Sequence, residues 1–143
     1  MDQERQVVFV CEHGSAKSVV AAAHFNRLAR ERQTALRAVS RGTNPDDEVA
    51  PNAARGLAAD GLALDGRVPQ RLSATDVEAA LRVVAFCPLP GGYGGSEAIE
   101  IWDGVPPVSE DYERARDAIL ERVVQLLDEL ERPARGAAGG PAL

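Results

Sequence analysis

Residues 6–32 read QVVFVCEHGSAKSVVAAAHFNRLARER, and this stretch decides the architecture. QVVFVC is short, β-branched and apolar at consecutive positions, which suits a strand buried on both faces of a parallel sheet. EHGSAKS is polar and small, so it reads as a loop. From Val19 the chain becomes Ala-rich and gathers Arg toward its end, where cations favour a helix C-terminus. ALRAVS at 35–40 supplies a second strand after a short connection, giving βαβ proportions with a right-handed crossover.

The alternation continues outward. Val49, Ala53 and Leu57 recur at four-residue spacing and predict a helix between Val49 and Asp60, with Gly61 at its C-cap. Ser73 and Asp76 resemble a capping box before VEAAL, VVAFC at 83–87 reads as a third strand, and AIEIW at 98–102 as a fourth. Between the last two, PLPGGYGGS is loop; its glycines, with Tyr93 at the tip, follow no helix-initiating pattern and make a weak nucleotide motif. Tyr112, Ala115, Ile119, Val123, Leu126, Leu127 and Leu130 form one apolar stripe, predicting a final helix capped by Ser109 and ended by Pro133. The expectation is a single doubly wound α/β domain over residues 1–132, with helices on both faces of a four-stranded parallel sheet and the ligand site at the strands' carboxyl ends. Residues 133–143 carry too little apolar surface to order themselves and are expected to form a disordered, mobile tail.

Composition narrows the functional classes. The chain has 143 residues, 45% of them hydrophobic, enough for one ordinary core. Sixteen Lys and Arg against 22 Asp and Glu give a net charge of −6, the wrong sign for neutralising nucleic-acid phosphates. No apolar run approaches the roughly 20 residues of a membrane span, and the opening MDQERQ is too polar for a signal peptide. A cytoplasmic protein is expected, without nucleic-acid or membrane partners. Its two cysteines, Cys11 and Cys87, form neither a disulfide framework nor a CxxC zinc pattern, so no metal or cofactor is implied. Buried packing is the default for a lone thiol.

The loop overrides that default for Cys11. In C-E-H-G-S-A-K-S, Cys11 ends the strand and Ser18 starts the helix. A loop of this length with Gly and small residues can turn successive N–H groups inward, and the helix N-terminus adds partial positive charge. Such a nest binds a tetrahedral oxyanion. The same field favours the thiolate, the form that attacks phosphorus, arsenic or a disulfide.

VVFVCEHGSAKSVVAAAHF resembles the first strand, phosphate loop and first helix of the low-molecular-weight protein tyrosine phosphatases and the related thioredoxin-coupled arsenate reductases, which share a Cys, five residues, an Arg and then Ser or Thr. The resemblance extends through residues 40–87, similar to the family's SAGT segment, following helix and third strand, and through WDGVPPVSEDYERARDAILERV, similar to its late loop and final helix. It implies a sheet of order 2-1-3-4. It also implies that Cys11 is the nucleophile, that Glu12, His13, Gly14, Ser15, Ala16, Lys17 and Ser18 form the oxyanion cradle, and that the Ser18 hydroxyl bonds the thiolate. The implied ligands are phosphate, arsenate or a phosphorylated substrate, with a thiol donor as partner in the reductase case.

The chain departs from that pattern in places that matter. Lys17 stands where the family has Arg, and an ammonium cannot make the bidentate fork that grips two equatorial oxygens. Pro106 precedes Pro107 where the phosphatases have the Asp-Pro general acid, leaving Asp103, three residues earlier, as the candidate acid. Gly14 replaces an Asn that shapes the loop. Cys87 matches the reductases' second Cys at the end of the third strand, which allows a reversible disulfide with Cys11 if their Cα atoms come within about 7 Å, but their third Cys is absent from PLPGGYGGSE. An inactive anion-binding or thiol-sensing protein of the same fold is therefore the alternative. His13 and His24 read as bracing or structural residues, Glu12 as solvent-facing, and Trp102 and Tyr112 as core residues or walls of a cleft.

Overall fold

A computed structural model describes residues 5–64, 66–89 and 99–139. The elements run β1 (Arg5–Cys11), α1 (Lys17–Glu31), β2 (Leu36–Gly42), α2 (Pro51–Ala59), α3 (Ala74–Ala79), β3 (Arg82–Ala85), β4 (Ile99–Ile101) and α4 (Tyr112–Gly139). The strands form one sheet in the order β2-β1-β3-β4, and each pairing is parallel. The doubly wound domain expected from the alternation is what the chain adopts.

Alternation along β1 assigns its side chains to two cores. Val7 and Phe9 pack with Val20, Phe25, Ile119, Val123 and Leu127 beneath α1, α2 and α4, while Val8 and Val10 meet Leu72, Val83 and Ala85 on the face that carries α3. Phe9 anchors an aromatic group, its ring 5.8 Å from Phe25 and 5.6 Å from Trp102. Trp102 is therefore a core residue, and its indole N–H donates to Glu100 at 2.8 Å.

β2 is an edge strand, and side chains close its open edge. Buried Asn26, reaching from α1, donates to the Ala38 carbonyl at 3.0 Å and accepts from the Ala38 N–H at 2.8 Å, as a neighbouring strand would. Arg37 and Arg41 donate to the carbonyls of Leu36 and Ser40. An edge satisfied in this way offers little to a foreign strand.

Helix ends follow local chemistry. Ser73 and Asp76 make the reciprocal capping box. Gly61, at φ +81°, closes α2 with N–H groups of Gly61 and Leu62 bonded to the carbonyls of Ala58 and Leu57. Two expectations for α4 are corrected. Its cap is Asp111, whose carboxylate accepts from the Arg114 N–H at 3.1 Å, rather than Ser109. Glu110 and Asp111 both donate backbone bonds to Pro107, so Ser109 lies inside a turn and the helix starts later. Nor does α4 stop at Pro133: its backbone runs to Gly139, the propagating turns outweighing the one ladder bond that proline removes. The predicted loop around Tyr93 lies outside the described residues, as do positions 140–143 of the tail.

Candidate active site

In the parallel register Cys11 stands opposite Gly42, and Val10 opposite Ala85, which in turn pairs with Ile101. The chain leaving β1, β3 and β4 therefore brings Cys11, Cys87 and Asp103 to one carboxyl edge of the sheet, where a doubly wound fold binds ligands. Cys11 is partly buried against the larger core. Its Sγ shares a hydrogen bond of 3.0 Å with Ser18 Oγ in the first turn of α1, and Ser18 is fully buried. The strand end and helix start thus meet across the sulfur.

The loop between them divides its backbone groups unequally. The carbonyls of Cys11, Glu12, His13 and Ser15 accept from the N–H groups of Thr43, Asn44, Asp46 and Ala50, at 2.7 to 3.3 Å. Ala16 O accepts the first helical bond, from Val20. By contrast, among the described residues no N–H of residues 12–19 donates a hydrogen bond. Unpaired amides next to a thiol at a helix start are the donor set that an oxyanion needs. Ala16 supplies no side-chain cap to fill them.

Gly14 is the loop's pivot. It sits at φ +62°, and a Cβ there would lie 2.8 Å from the Gly42 backbone nitrogen. The approach is mutual, because a Cβ on Gly42 would lie 2.7 Å from Gly14 N. Two glycines therefore let the loop rest on the end of β2. On either side of this contact, Ser15 Oγ donates to Asp46 Oδ2 at 2.9 Å, and His13 Nδ1 lies 3.4 Å from Asp46 Oδ1. Nothing in the sequence singled out Asp46, whose partners lie some thirty residues away.

The remaining expected residues fall into place unevenly. Glu12 points outward, its side chain 64% exposed, as expected from the sequence. Lys17 is half-buried at the first position of α1 and has no ion pair among the described residues. Cys87 is a free thiol, as is Cys11. Burial, and then the electrostatic influence of Cys11 and Glu12, push the Cys87 thiol up, with Lys17 opposing. Asp103 is exposed just beyond β4, before Gly104 at φ +79°. No His, Cys, Asp and Glu grouping among the described residues could hold a metal ion.

Behind the site lies a polar cluster that sequence reasoning missed. Asp60 at the end of α2 accepts from the Tyr112 hydroxyl at 2.7 Å and from Arg116 at 3.0 Å. His24 Nε2 lies 3.2 Å away from it, buried and without hydrogen-bond alignment. Burial alone would raise the Asp60 carboxyl, but Tyr112, Arg116 and His24 together hold it below the usual carboxylate range. Tyr112 accordingly braces α2 against α4, its ring filling the space where Gly56 lacks a side chain.

Comparison with known proteins gives the family and the fold. Residues 6–89, more than half of the chain, match the family model described as low molecular weight phosphotyrosine protein phosphatase. Among curated protein sequences none matches. The chain superposes on the crystal structure of YfkJ from Bacillus subtilis with a TM-score of 0.81 at 19% identity, over 92% of this chain and 98% of that one. A low molecular weight protein tyrosine phosphatase from T. tengcongensis gives 0.78 at 17% identity, over 87% and 99%. The arsenate reductase from Archaeoglobus fulgidus gives 0.65 at 29% identity, over 84% and 97%. No helix of the described residues is long and apolar enough to cross a membrane.

Proposed function

Because the chain belongs to the low molecular weight phosphotyrosine protein phosphatase family, we propose that it is a cysteine-dependent oxyanion-handling enzyme in which Cys11 attacks a phosphoryl or arsenate centre. The functional unit is residues 1–132, with 133–143 an appended tail. One observation carries the reading: Cys11 Sγ hydrogen-bonded to Ser18 Oγ at 3.0 Å, beside a loop in which the carbonyls of Glu12, His13, Ser15 and Ala16 are engaged and the amides are not.

The residues have separate tasks. The amides of residues 12–18 and the Lys17 ammonium hold the equatorial oxygens, and the Ser18 hydroxyl stabilises the thiolate. With a phosphomonoester, the Cys11 sulfur bonds to phosphorus as the ester oxygen leaves and takes a proton from the Asp103 carboxyl. Water then attacks the phosphocysteine, passes a proton to Asp103 and releases inorganic phosphate and the thiolate. With arsenate, the Cys11 sulfur bonds to arsenic as one protonated oxygen leaves as water, and the Cys87 thiolate then attacks the Cys11 sulfur, breaking the sulfur–arsenic bond. Arsenite departs, arsenic gaining the two electrons lost as the disulfide forms, and an external thiol donor restores both cysteines. Such chemistry requires reduced thiols, which supports a cytoplasmic location.

A second reading rests on Lys17 and Pro106. Without the guanidinium fork or the acid before Pro107, the fold can serve as an anion-binding or thiol-sensing protein with little turnover. Aryl phosphate hydrolysis and thiol-dependent arsenate reduction, assayed side by side, decide the matter. The enzyme reading expects turnover in at least one assay and its loss in Cys11→Ser; unchanged turnover in that variant overturns it, and phosphate binding without turnover supports the second reading.

A further inference from the structure

Gly14, the left-handed pivot of the loop, has no side chain with which to hold its curvature, so another group must fix it. We propose that Asp46 is that positioning residue. The proposal deepens the oxyanion-site reading and rests on it.

Asp46 clasps the loop on both sides of its pivot. Its backbone N–H donates to His13 O at 3.0 Å and its Oδ2 accepts from Ser15 Oγ at 2.9 Å, while His13 Nδ1, hydrogen-bonded to the Asn44 carbonyl at 3.3 Å, lies 3.4 Å from its Oδ1. Between these two anchors stands Gly14, the left-handed residue pressed against the Gly42 backbone. Ser15 is only 5% exposed, so its hydroxyl requires a partner inside the fold. Its carbonyl is meanwhile held by the Ala50 N–H at 2.9 Å. Side chain and main chain of Ser15 are thereby tied to the segment 46–50, while its amide has no acceptor among the described residues.

Charge argues that Asp46 positions the loop rather than binding the ligand. A carboxylate opposes both a thiolate and an incoming anion, so it is tolerable here only with its oxygens turned to Ser15 and His13. Its side chain is half exposed, which weakens that opposition further. What it contributes is the geometry of the amides at 13–16, and a small misplacement of such donors can cost on the order of 100-fold.

The test compares wild type with Asp46→Ala, Ser15→Ala, their double variant and Asp46→Asn. Inorganic phosphate affinity, amide exchange of residues 12–18 and kcat against KM are measured for each. The proposal expects Asp46→Ala and Ser15→Ala each to weaken phosphate binding by about tenfold or more and to speed exchange of the loop amides. The double variant loses no more than the worse single one, because both remove the same bond. Asp46→Asn, which keeps an oxygen for the Ser15 hydroxyl, recovers much of the loss. Additive losses, or wild-type phosphate affinity and loop exchange in Asp46→Ala, overturn the proposal. If wild type binds phosphate but turns over no ester or arsenate, the enzyme reading fails and the Asp46 assignment stands on affinity and exchange alone.

Discussion

In the proposed reaction, Lys17 is the residue that limits how the transferred group is gripped. An ammonium offers charge at one point, whereas a guanidinium offers two parallel donors to two oxygens of a planar transition state. Lys17→Arg is therefore expected to raise kcat for aryl phosphates by roughly tenfold or more while changing phosphate affinity less. Steady-state kinetics with phosphate inhibition measures both. An unchanged kcat would mean that Lys17 does not face the reacting oxygens. Gly42 offers a second test at this scale. A methyl at Gly42 would meet Gly14 N at 2.7 Å and the His13 carbonyl carbon at 2.8 Å, rigid main-chain atoms that cannot swing aside. Gly42→Ala should abolish phosphate binding, read by titration, in a chain that still shows a folded circular dichroism spectrum.

Not every residue of this site was equally legible in the sequence. Cys11, Gly14 and Ser18 are close in sequence, and strand-loop-helix patterning brings the first and last together without tertiary information. Asp46 and His24 act on partners reached only through the folded chain. No periodicity marks NPDD as a clasp, and a histidine in an Ala-rich helix reads as packing whether or not an aspartate faces it.

At the scale of elements, the strands were visible because a buried parallel strand must be apolar on both faces, as VVFV and VVAF are. The ends were less so. Ser109 satisfied the compositional rule for a cap, but the two prolines before it create a turn that ends on Asp111. The closure of β2 was invisible for a related reason: Asn26 lies on an apolar helix face and earns its place only when Ala38 stands opposite. Asn26→Ala would leave a buried N–H and a buried carbonyl unpaired, at about 1–3 kcal/mol each. A destabilisation of roughly 3 kcal/mol is expected, measured by urea unfolding. A loss below about 1 kcal/mol would show that water replaces both bonds.

For the whole molecule, the cluster around Asp60 joins α1, α2 and α4 beneath the site, and it makes stability depend on pH. Burial, and then the charge of Arg27, hold the His24 imidazole below its ordinary value of 6.5. The folded state thus prefers neutral His24. Its contribution is complete above the unfolded value near 6.5 and is lost as pH falls through the lower folded value. Asp60, also held below its ordinary value of 3.8, keeps its contribution until the medium is more acid still. Thermal unfolding between pH 7.5 and about pH 5 should therefore show a falling Tm, and His24→Gln should flatten that slope whatever its effect on Tm at neutral pH. An equal slope in the variant would remove His24 from the pH response.

The central claim is that the Cys11 sulfur, at the mouth of a loop with unengaged amides, carries the transferred group. Rapid acid quenching during reaction with an aryl phosphate, followed by peptide mass spectrometry, tests it directly. The account predicts one phosphoryl group on the peptide containing Cys11 and none in Cys11→Ser. Hydrolysis without that adduct, undiminished in Cys11→Ser, would contradict it.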